Sequence, residues 1–380
     1  MSIKTLSKKM LAIVVAGAMT MGLAMPTSVF ATGGDTATKV TEAYISKTFN
    51  TEVGKDEAFS FTATQVTGST ANVTIPNITF ADTDTGSKTK RAKVTFPEEW
   101  PDAGKYEYTV TETGATPKIT DEQHQKMIMS KAEYTMDVYV SNSGSGLEIS
   151  NIIVNKKKDN KGTAATGKVD ISNTDKNGFN FTNTYVQEAG TGTDPTNPNP
   201  TYNQFGSLNV SKKIVNANGT AETSTDTFAF TATFAFPTGT DANTLGGIKD
   251  ANGEPVTLAE DGTYTFRLKA NENMKFTGVP VGTTITVKES ATKNYKGSAE
   301  ITINGTKLTP VSATKYNAEL TAVNNEKLGQ KQNTVDVTNT YNDVPVTGII
   351  MNTLPYVLMI ALCGAALMAF VAFKRRRLQK

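Results

Sequence analysis

A lysine, a glutamate and an asparagine recur in each half of this 380-residue chain, at positions where a β-strand would turn them toward apolar neighbours. Side chains alternate between the two faces of a strand, so residues two apart share a face. Lys47 shares its face with Ile45 and Phe49, and Lys212 in the second half has apolar partners at the same spacing. Each lysine would enter a core unless its ammonium group reached the edge of the strand.

The same alternation applies to the glutamate and the asparagine of each half. Glu112 is in phase with Tyr108 and Val110. Apolar residues also share a face with Asn183 in the first half and with Glu289 and Asn339 in the second. Singly, such residues usually lie at a strand end, a sheet edge or a turn. Their repetition in the same order favours a common role.

Brought together in a core, these three groups have a defined chemistry. Burial disfavours charge, so the lysine moves toward a neutral amine and the glutamate toward a neutral acid. A neutral amine is a nucleophile, and the carboxamide carbon of asparagine is its electrophile. The glutamate can polarise the amide and carry protons. The expected product is a Lys–Asn isopeptide bond with loss of ammonia, accelerated by the proximity that the fold imposes.

The sequence between the two ends of the chain predicts the strands that would position these groups. Short alternating runs such as "FSFTAT", "NVTIPNITF", "YTMDVYV" and "TITVKE" are separated by Gly, Asn, Asp and Pro turns. Outside the two ends of the chain, no long segment has a convincing helical period. The predicted fold class is therefore an all-β sandwich.

The chain also carries the pattern of a diverged duplication. "YISKTF", "FSFTAT", "YTVTE" and "FTNTY" are followed in the same order by "NVSKKI", "FAFTAT", "ITVKE" and "VTNTY". Between the two series, Glu188–Gly206 is dense in Pro, Gly, Thr and Asn. This composition predicts a short, semi-extended linker between two domains of similar size.

Both ends of the chain carry targeting patterns. Three lysines precede an apolar run, and Val29 to Ala31 offers a small-residue cleavage site, which is typical of a secretory signal peptide. Near the C-terminus, residues 349–373 are long and apolar enough to span a bilayer. The basic cluster that follows should remain cytoplasmic.

Charge, cysteine and histidine content exclude several functions. Removing the eight basic residues of the two end segments leaves 30 basic and 36 acidic residues, a net charge of −6 instead of +2, which argues against nucleic-acid binding. The single Cys363 lies in the predicted span, so no disulfide is expected. The single His124 is expected in a solvated loop or edge, and we predict no metal and no cofactor.

The C-terminal order of motif, span and basic tail resembles a sortase sorting signal of Gram-positive bacteria. The pentapeptide would be Val344, Pro345, Val346, Thr347 and Gly348, with Val344 where leucine is usual. The resemblance implies cleavage between Thr347 and Gly348 and transfer of the Thr347 carbonyl to an amine.

With the repeated Lys, Glu and Asn, nearly the whole chain resembles the major backbone pilins of Gram-positive bacteria, specifically the streptococcal-type two-domain pilin. The resemblance implies two tandem immunoglobulin-like (CnaB-like) β-sandwich domains with one isopeptide bond each. It implies that Lys47 joins Asn183 with Glu112 as catalyst. By the same resemblance Lys212 joins Asn339 with Glu289. Strand parity favours Lys212 over its neighbour Lys213.

The resemblance further implies an exposed lysine that accepts Thr347 of the next subunit. Lys176 lies at the matching position, in "TDKNGFNFTN", and Lys168 and residues 156–158 are competitors. The implied protein is a cell-wall-anchored structural pilus subunit and not an enzyme. Its expected partners are its own copies, sortase, minor pilins, peptidoglycan and a possible host ligand. A wall-anchored monomeric adhesin or minor pilin is the alternative, and a surface enzyme lacks a recognisable motif.

These predictions divide the chain into seven segments. They are a signal peptide (1–31), a first pilin domain (35–186), a linker (187–206), a second pilin domain (207–342), the sortase motif (344–348), a transmembrane segment (349–373) and a basic cytoplasmic tail (374–380).

Overall fold

The computed structural model of the protein describes residues 39–120, 123–174, 178–342 and 359–371. In the first half, the strands are β1 (Tyr44–Thr51), β2 (Glu57–Thr67), β3 (Ile78–Phe80), β4 (Gly86–Lys93), β5 (Gly104–Thr116), β6 (Gln125–Ile128), β7 (Glu133–Ser143), β8 (Gly146–Lys158), β9 (Ala164–Lys168) and β10 (Asn180–Gln187). They form two sheets, in the orders β4-β1-β10-β6 and β3-β2-β5-β7-β8-β9.

The second half repeats this plan. Its elements are α1 (Pro200–Phe205), β11 (Leu208–Val215), β12 (Phe228–Ala235), β13 (Thr263–Leu268), β14 (Asn273–Phe276), β15 (Thr284–Glu289), β16 (Tyr295–Ile303), β17 (Thr306–Lys307), β18 (Val311–Ser312), β19 (Leu320–Lys327) and β20 (Thr334–Tyr341). One sheet has the order β14-β11-β20-β16-β17, with β18 also on β16, and the other has β13-β12-β15-β19. The predicted all-β class is confirmed.

In each half, one sheet contains the first and last strands and the other contains the glutamate; we call them the terminal-strand sheet and the glutamate sheet. Their inner faces pack together because the strands alternate apolar and polar residues. On β12, Phe228, Phe230 and Phe234 are buried, because they are two or four residues apart and so share a face. In the first half, the rings of Phe49 and Phe59 meet edge to face across the sheets, with centroids 5.1 Å apart.

The first and last strands of each half are parallel neighbours. In the first half, β1 pairs with β10 so that Lys47 lies opposite Phe181. In the second half, β11 pairs with β20 so that Lys212 lies opposite Val337. Because residues two apart share a face, each asparagine lies diagonally across from its lysine, two residues past the paired position.

The segment predicted to be a semi-extended linker, residues 187–206, contains the end of a strand and a short helix. Gln187 still belongs to β10, and Asn199 caps α1 by accepting a hydrogen bond from the backbone N–H of Tyr202. The Ala189 N–H donates to the carbonyl oxygen of Val279 at 2.9 Å, which ties the segment to the second half. Composition alone could not show these contacts, because they depend on the neighbouring half.

Several predicted segments lie outside the described residues. They are the signal peptide, the sortase motif at 344–348, the tail at 374–380 and the acceptor candidate Lys176. Within the predicted span, residues 359–371 are helical. Among the residues that the structure describes, no helix meets the length and hydropathy needed to cross a membrane.

Candidate functional site

The three predicted residues of the first half meet between its two sheets. Lys47 on β1 and Asn183 on β10 come from the terminal-strand sheet, and Glu112 on β5 comes from the glutamate sheet. Lys47 Nζ lies 2.8 Å from both carboxylate oxygens of Glu112. Asn183 Nδ2 donates to Glu112 Oε1 at 2.7 Å. One carboxylate therefore contacts the amine and the amide together.

This first site is closed to solvent. The side chains of Lys47 and Glu112 are 0% and 1% exposed, and Asn183 is 0% exposed. Lys47 Nζ lies 4.2 Å from the centre of the Phe59 ring. Phe61, the residue paired with Glu112, packs against the neighbouring Phe181 with ring centroids 5.2 Å apart. The amine thus lies between a carboxylate and an aromatic face, in a setting of low polarity.

Burial moves both ionisable groups of the first site toward their neutral forms. It lowers the pKa of Lys47 to about 8, although the attraction of Glu112 acts in the opposite direction. It also raises the pKa of Glu112, against the opposing effects of Lys47 and of the hydrogen bond from Asn183. A proton that passes from the ammonium to the carboxylate leaves a nucleophilic amine and a carboxylic acid beside the asparagine amide.

The second half builds the same arrangement. Lys212 on β11 and Asn339 on β20 face Glu289, the last residue of β15. Lys212 Nζ lies 2.7 Å from Glu289 Oε1, outside hydrogen-bond geometry, and Asn339 Nδ2 donates to the same oxygen at 2.8 Å. Lys212 Nζ also lies 4.2 Å from the ring centre of Phe228. Burial lowers the pKa of Lys212 to about 8 and raises that of Glu289.

The environment of the asparagine oxygen differs between the two sites. In the first, Asn183 Oδ1 accepts a hydrogen bond from the backbone N–H of Ser130 at 2.7 Å. In the second, Asn339 Oδ1 has no hydrogen-bond partner among the described residues. A Cβ built on Gly297, the residue paired with Asn339, would lie 3.0 Å from that oxygen. The second amide oxygen therefore faces a bare glycine.

The two neighbouring lysines of β11 lie on opposite faces of the strand, as strand parity predicts. Lys212 is 0% exposed, whereas Lys213 is on the solvent face. The acceptor candidate Lys176 cannot be placed against either site, because it lies outside the described residues. Its competitor Lys168 is exposed on β9.

Three features of the sites were not predicted from the sequence alone. The repeated "FSFTAT" and "FAFTAT" strings signalled a duplication, but not that Phe59 and Phe228 cover the two lysines. The Ser130 N–H is a backbone group with no sequence signature, because any residue except proline supplies it. Gly297 could have been suspected, since a glycine inside a strand often marks close approach of another group.

A further buried cluster joins the two halves, and we call it the Glu188 junction: Glu188, His124, Tyr202 and Ser207. Glu188 Oε1 accepts hydrogen bonds from the hydroxyls of Tyr202 at 2.7 Å and Ser207 at 2.6 Å, and from the backbone N–H of Gly278. His124 Nδ1 lies 2.6 Å from Glu188 Oε2. Burial raises the pKa of Glu188, but these contacts together bring it below its ordinary value.

The expectation that His124 is solvated is therefore wrong. Its side chain is 13% exposed and its ring packs edge to face on Tyr202, with centroids 4.8 Å apart. The polar residues around His124 in the sequence suggested a loop in solvent. The partner that buries it, Glu188, is 64 residues away.

The two halves match different protein families. Residues 38–186 match the family of the Spy0128-like isopeptide-containing domain, FctA. Residues 206–341 match a domain of unknown function, DUF7601. The match of the first half supports the resemblance to isopeptide-bonded pilins of Gram-positive bacteria, which is confirmed.

Solved structures of low identity are also similar to the chain. The major pilin of Streptococcus pyogenes is 19% identical, with 79% of this chain and 98% of that chain covered and a TM-score of 0.32. A major pilin from a further S. pyogenes serotype is 20% identical, with coverages of 79% and 98% and a TM-score of 0.30. An adhesin of Mobiluncus mulieris is 14% identical, with coverages of 76% and 85% and a TM-score of 0.21. These TM-scores support no inference from the superposition. Comparison with curated protein sequences finds no significant match.

Proposed function

We propose that this protein is the structural shaft subunit of a covalent surface pilus, built from two immunoglobulin-like (CnaB-like) domains that each form one Lys–Asn isopeptide bond. The observation that carries the proposal is the contact of a buried lysine, glutamate and asparagine between the sheets of each half. The bonds would join Lys47 to Asn183 and Lys212 to Asn339.

The proposed reaction uses the same steps in both sites. The lysine Nζ, after passing a proton to the glutamate, attacks the asparagine Cγ and forms a C–N bond. Electron density moves onto Oδ1 and then returns as the Cγ–Nδ2 bond breaks. The glutamate delivers its proton to Nδ2, which leaves as ammonia, and the resulting carboxylate accepts the proton that Nζ loses as the new amide becomes neutral. Amine and carboxamide are converted to a secondary amide and ammonia, without an external reactant. Each chain reacts once per site, so the protein is a structural subunit and not an enzyme.

A bond at these positions suits a subunit that carries tension. In each half it would connect the first strand to the last strand, which are neighbours in the terminal-strand sheet. Force that enters through one strand and leaves through the other would pass through the covalent link and largely bypass the sheet hydrogen bonds. The domains lack disulfides, since the single Cys363 lies outside both, so the isopeptide bonds would supply the covalent support.

Assembly would use the predicted end segments. After secretion and removal of residues 1–31, the span at 349–373 and its basic tail would hold the precursor in the membrane. Sortase would cleave between Thr347 and Gly348 and transfer Thr347 to Lys176 of the next subunit. The final transfer would attach the fibre to peptidoglycan, and minor pilins or a host ligand would be additional partners. The net charge of −6 for the secreted part supports no role with nucleic acid.

The test combines an intact mass with a gel of the cell wall. The mature protein should weigh two ammonia masses less than its sequence, and Glu112→Ala should restore one of them. Full sequence mass, with Lys47 and Lys212 open to amine labelling in the unfolded chain, would refute the internal bonds. On a boiled denaturing gel of wall extract, a high-mass ladder supports the polymeric pilin. A single band would indicate the wall-anchored monomer, and sequencing the branched peptide would identify the acceptor lysine.

A further inference from the structure

The carbonyl oxygen of Asn183 is held by a group that the proposed chemistry has not yet used. The backbone N–H of Ser130 donates to Asn183 Oδ1 at 2.7 Å, while Asn183 Nδ2 donates to Glu112. Asn183 is completely buried, and Ser130 is buried beside it. Both ends of the amide are thus fixed, with the oxygen on a donor and the nitrogen on the carboxylate.

The position of this donor matters because Oδ1 is where negative charge would develop. When Lys47 Nζ adds to Asn183 Cγ, the carbonyl π electrons move to Oδ1, and they return when the Cγ–Nδ2 bond breaks and ammonia leaves. A fixed N–H at hydrogen-bond distance stabilises that charge in a water-excluded site. We propose that the Ser130 backbone N–H is the oxyanion donor of the first crosslinking reaction. This inference rests on the proposed function.

The Ser130 N–H is held in place by Asn160. Asn160 Oδ1 accepts a hydrogen bond from Ser130 Oγ at 2.6 Å and another from the backbone N–H of Thr182 at 2.8 Å. The carbonyl oxygen of Asn160 also accepts from the N–H of Lys131 at 3.0 Å. Since Thr182 precedes Asn183, Asn160 fixes the donor segment against the strand that carries the electrophile. Asn160 is therefore a positioning residue.

The second site does not share this arrangement. Asn339 Oδ1 has no hydrogen-bond partner among the described residues and lies over Gly297. The lysines of both sites have similarly lowered pKa values and each contacts a glutamate, whereas only the first site has a donor to the amide oxygen. We therefore expect the first bond to form faster than the second. Loss of one such donor typically slows a reaction by about 10²-fold.

The test replaces Ser130 in the full-length chain by its α-hydroxy acid during cell-free translation. This change exchanges the N–H for an oxygen and keeps the side chain. Samples quenched over time are digested, and the Lys47–Asn183 and Lys212–Asn339 crosslinked peptides are quantified by mass spectrometry. The first bond should form about 10²-fold more slowly, at an unchanged rate of the second. The same exchange at the exposed Ser145, whose N–H donates to Ser143 Oγ, is the matched control and should leave the rates of both bonds unchanged.

Further outcomes separate this inference from the proposed function. If the wild type forms both bonds and the hydroxy-acid chain forms the first at the wild-type rate, the oxyanion assignment is overturned. If the wild type forms neither bond, the proposed function fails instead.

Should the hydroxy-acid chain misfold, Asn160→Ala decides the question. It should slow only the first bond, and Asn160→Asp, which keeps the acceptor oxygen, should restore the rate. Equal first-bond rates in the wild type and Asn160→Ala would contradict the proposal.

Discussion

The two lysine sites share a framework and differ in its details. Both use a parallel pair of first and last strands, a glutamate from the facing sheet and a phenylalanine ring 4.2 Å from the amine. Glu112 lies beside a bulge, because the pairing of β2 with β5 skips Thr113, whereas Glu289 ends its strand. The amide oxygen of the first site accepts a hydrogen bond from a backbone N–H, whereas that of the second lies beside Gly297, which has no side chain. The arrangement that brings the three groups together is therefore common to both sites, whereas the contacts that would tune their reactivity differ.

The largest expected effect comes from removing one glutamate at a time. Glu112→Ala should abolish the first ammonia loss and leave the second, and Glu289→Ala should do the reverse, because each amine contacts only its own carboxylate. The uncrosslinked half should also lose about 5 kcal/mol of stability, since each bond closes a loop of more than a hundred residues. Intact mass and denaturant unfolding measure the two results.

The neighbouring Lys213 provides the control for that comparison. It is exposed on the strand that carries Lys212, so Lys213→Ala should retain both ammonia losses and change stability by less than about 0.5 kcal/mol. If either glutamate variant loses both bonds, the halves do not react independently and the comparison of the sites fails.

The pH dependence of an uncrosslinked half should reveal the buried amine. In Asn183→Ala, Lys47 stays free, with its pKa lowered by burial from 10.5 to about 8. Between these values the unfolded chain binds a proton that the folded chain does not, so stability should rise with pH across that window. Asn339→Ala should show the same for Lys212, whose pKa is also lowered to about 8. Thermal unfolding at a series of pH values from 8 to 10 measures this change in stability.

A double variant isolates the amine from the other titrating groups. The double variant Asn183→Ala, Lys47→Met should lack the rise in stability with pH that Asn183→Ala shows, because methionine does not titrate. The wild type should lack this rise as well, since its amine would be consumed in the proposed bond. A rise of equal size in all three proteins would assign the effect to other groups and contradict the lowered pKa of Lys47.

Disruption of the Glu188 junction should destabilise both halves, whereas disruption of one lysine site should affect only its own half. Glu188→Ala leaves the hydroxyls of Tyr202 and Ser207 and the Gly278 N–H without their acceptor, and should cost about 3 kcal/mol. Both ammonia losses should persist, because neither site contains Glu188. Hydrogen exchange should increase at the end of β10 and around Gly278.

The exposed Glu260 is the matched control for the junction, and Glu260→Ala should leave hydrogen exchange unchanged. Increased exchange confined to one half in Glu188→Ala would show that the junction supports that half alone.

Strand parity was sufficient to predict that the six candidate residues face the core, because alternation is a local property of the chain. It located Lys47 and separated Lys212 from Lys213 without knowledge of the sheet order. It could not show the register of β1 against β10, which brings Asn183 within reach of the same carboxylate as Lys47. That register depends on packing between segments far apart in the sequence.

One residue was misjudged and one group was missed, because their environments come from the other half or from the backbone. His124 lies in a polar stretch, yet its partner Glu188 follows the last strand and contacts the second half. The Ser130 N–H has no side-chain signature. Composition and alternation report neither kind of contact, so the groups that tune the sites and join the halves emerge only from the folded structure.

The smallest expected effect tests the glycine that distinguishes the second site. In Gly297→Ala, the new Cβ would lie 3.0 Å from both Asn339 Oδ1 and Glu289 Oε2, so the amide must shift slightly. Such crowding costs about 1 kcal/mol, or about fivefold in the rate of the second bond. The matched control is Gly114→Ala on β5, where the same methyl group meets no atom within 4 Å. A time course of crosslinked peptides should show slowing of the second bond in Gly297→Ala alone. Equal rates in both variants would mean that the second amide tolerates displacement, and that the glycine does not set its geometry.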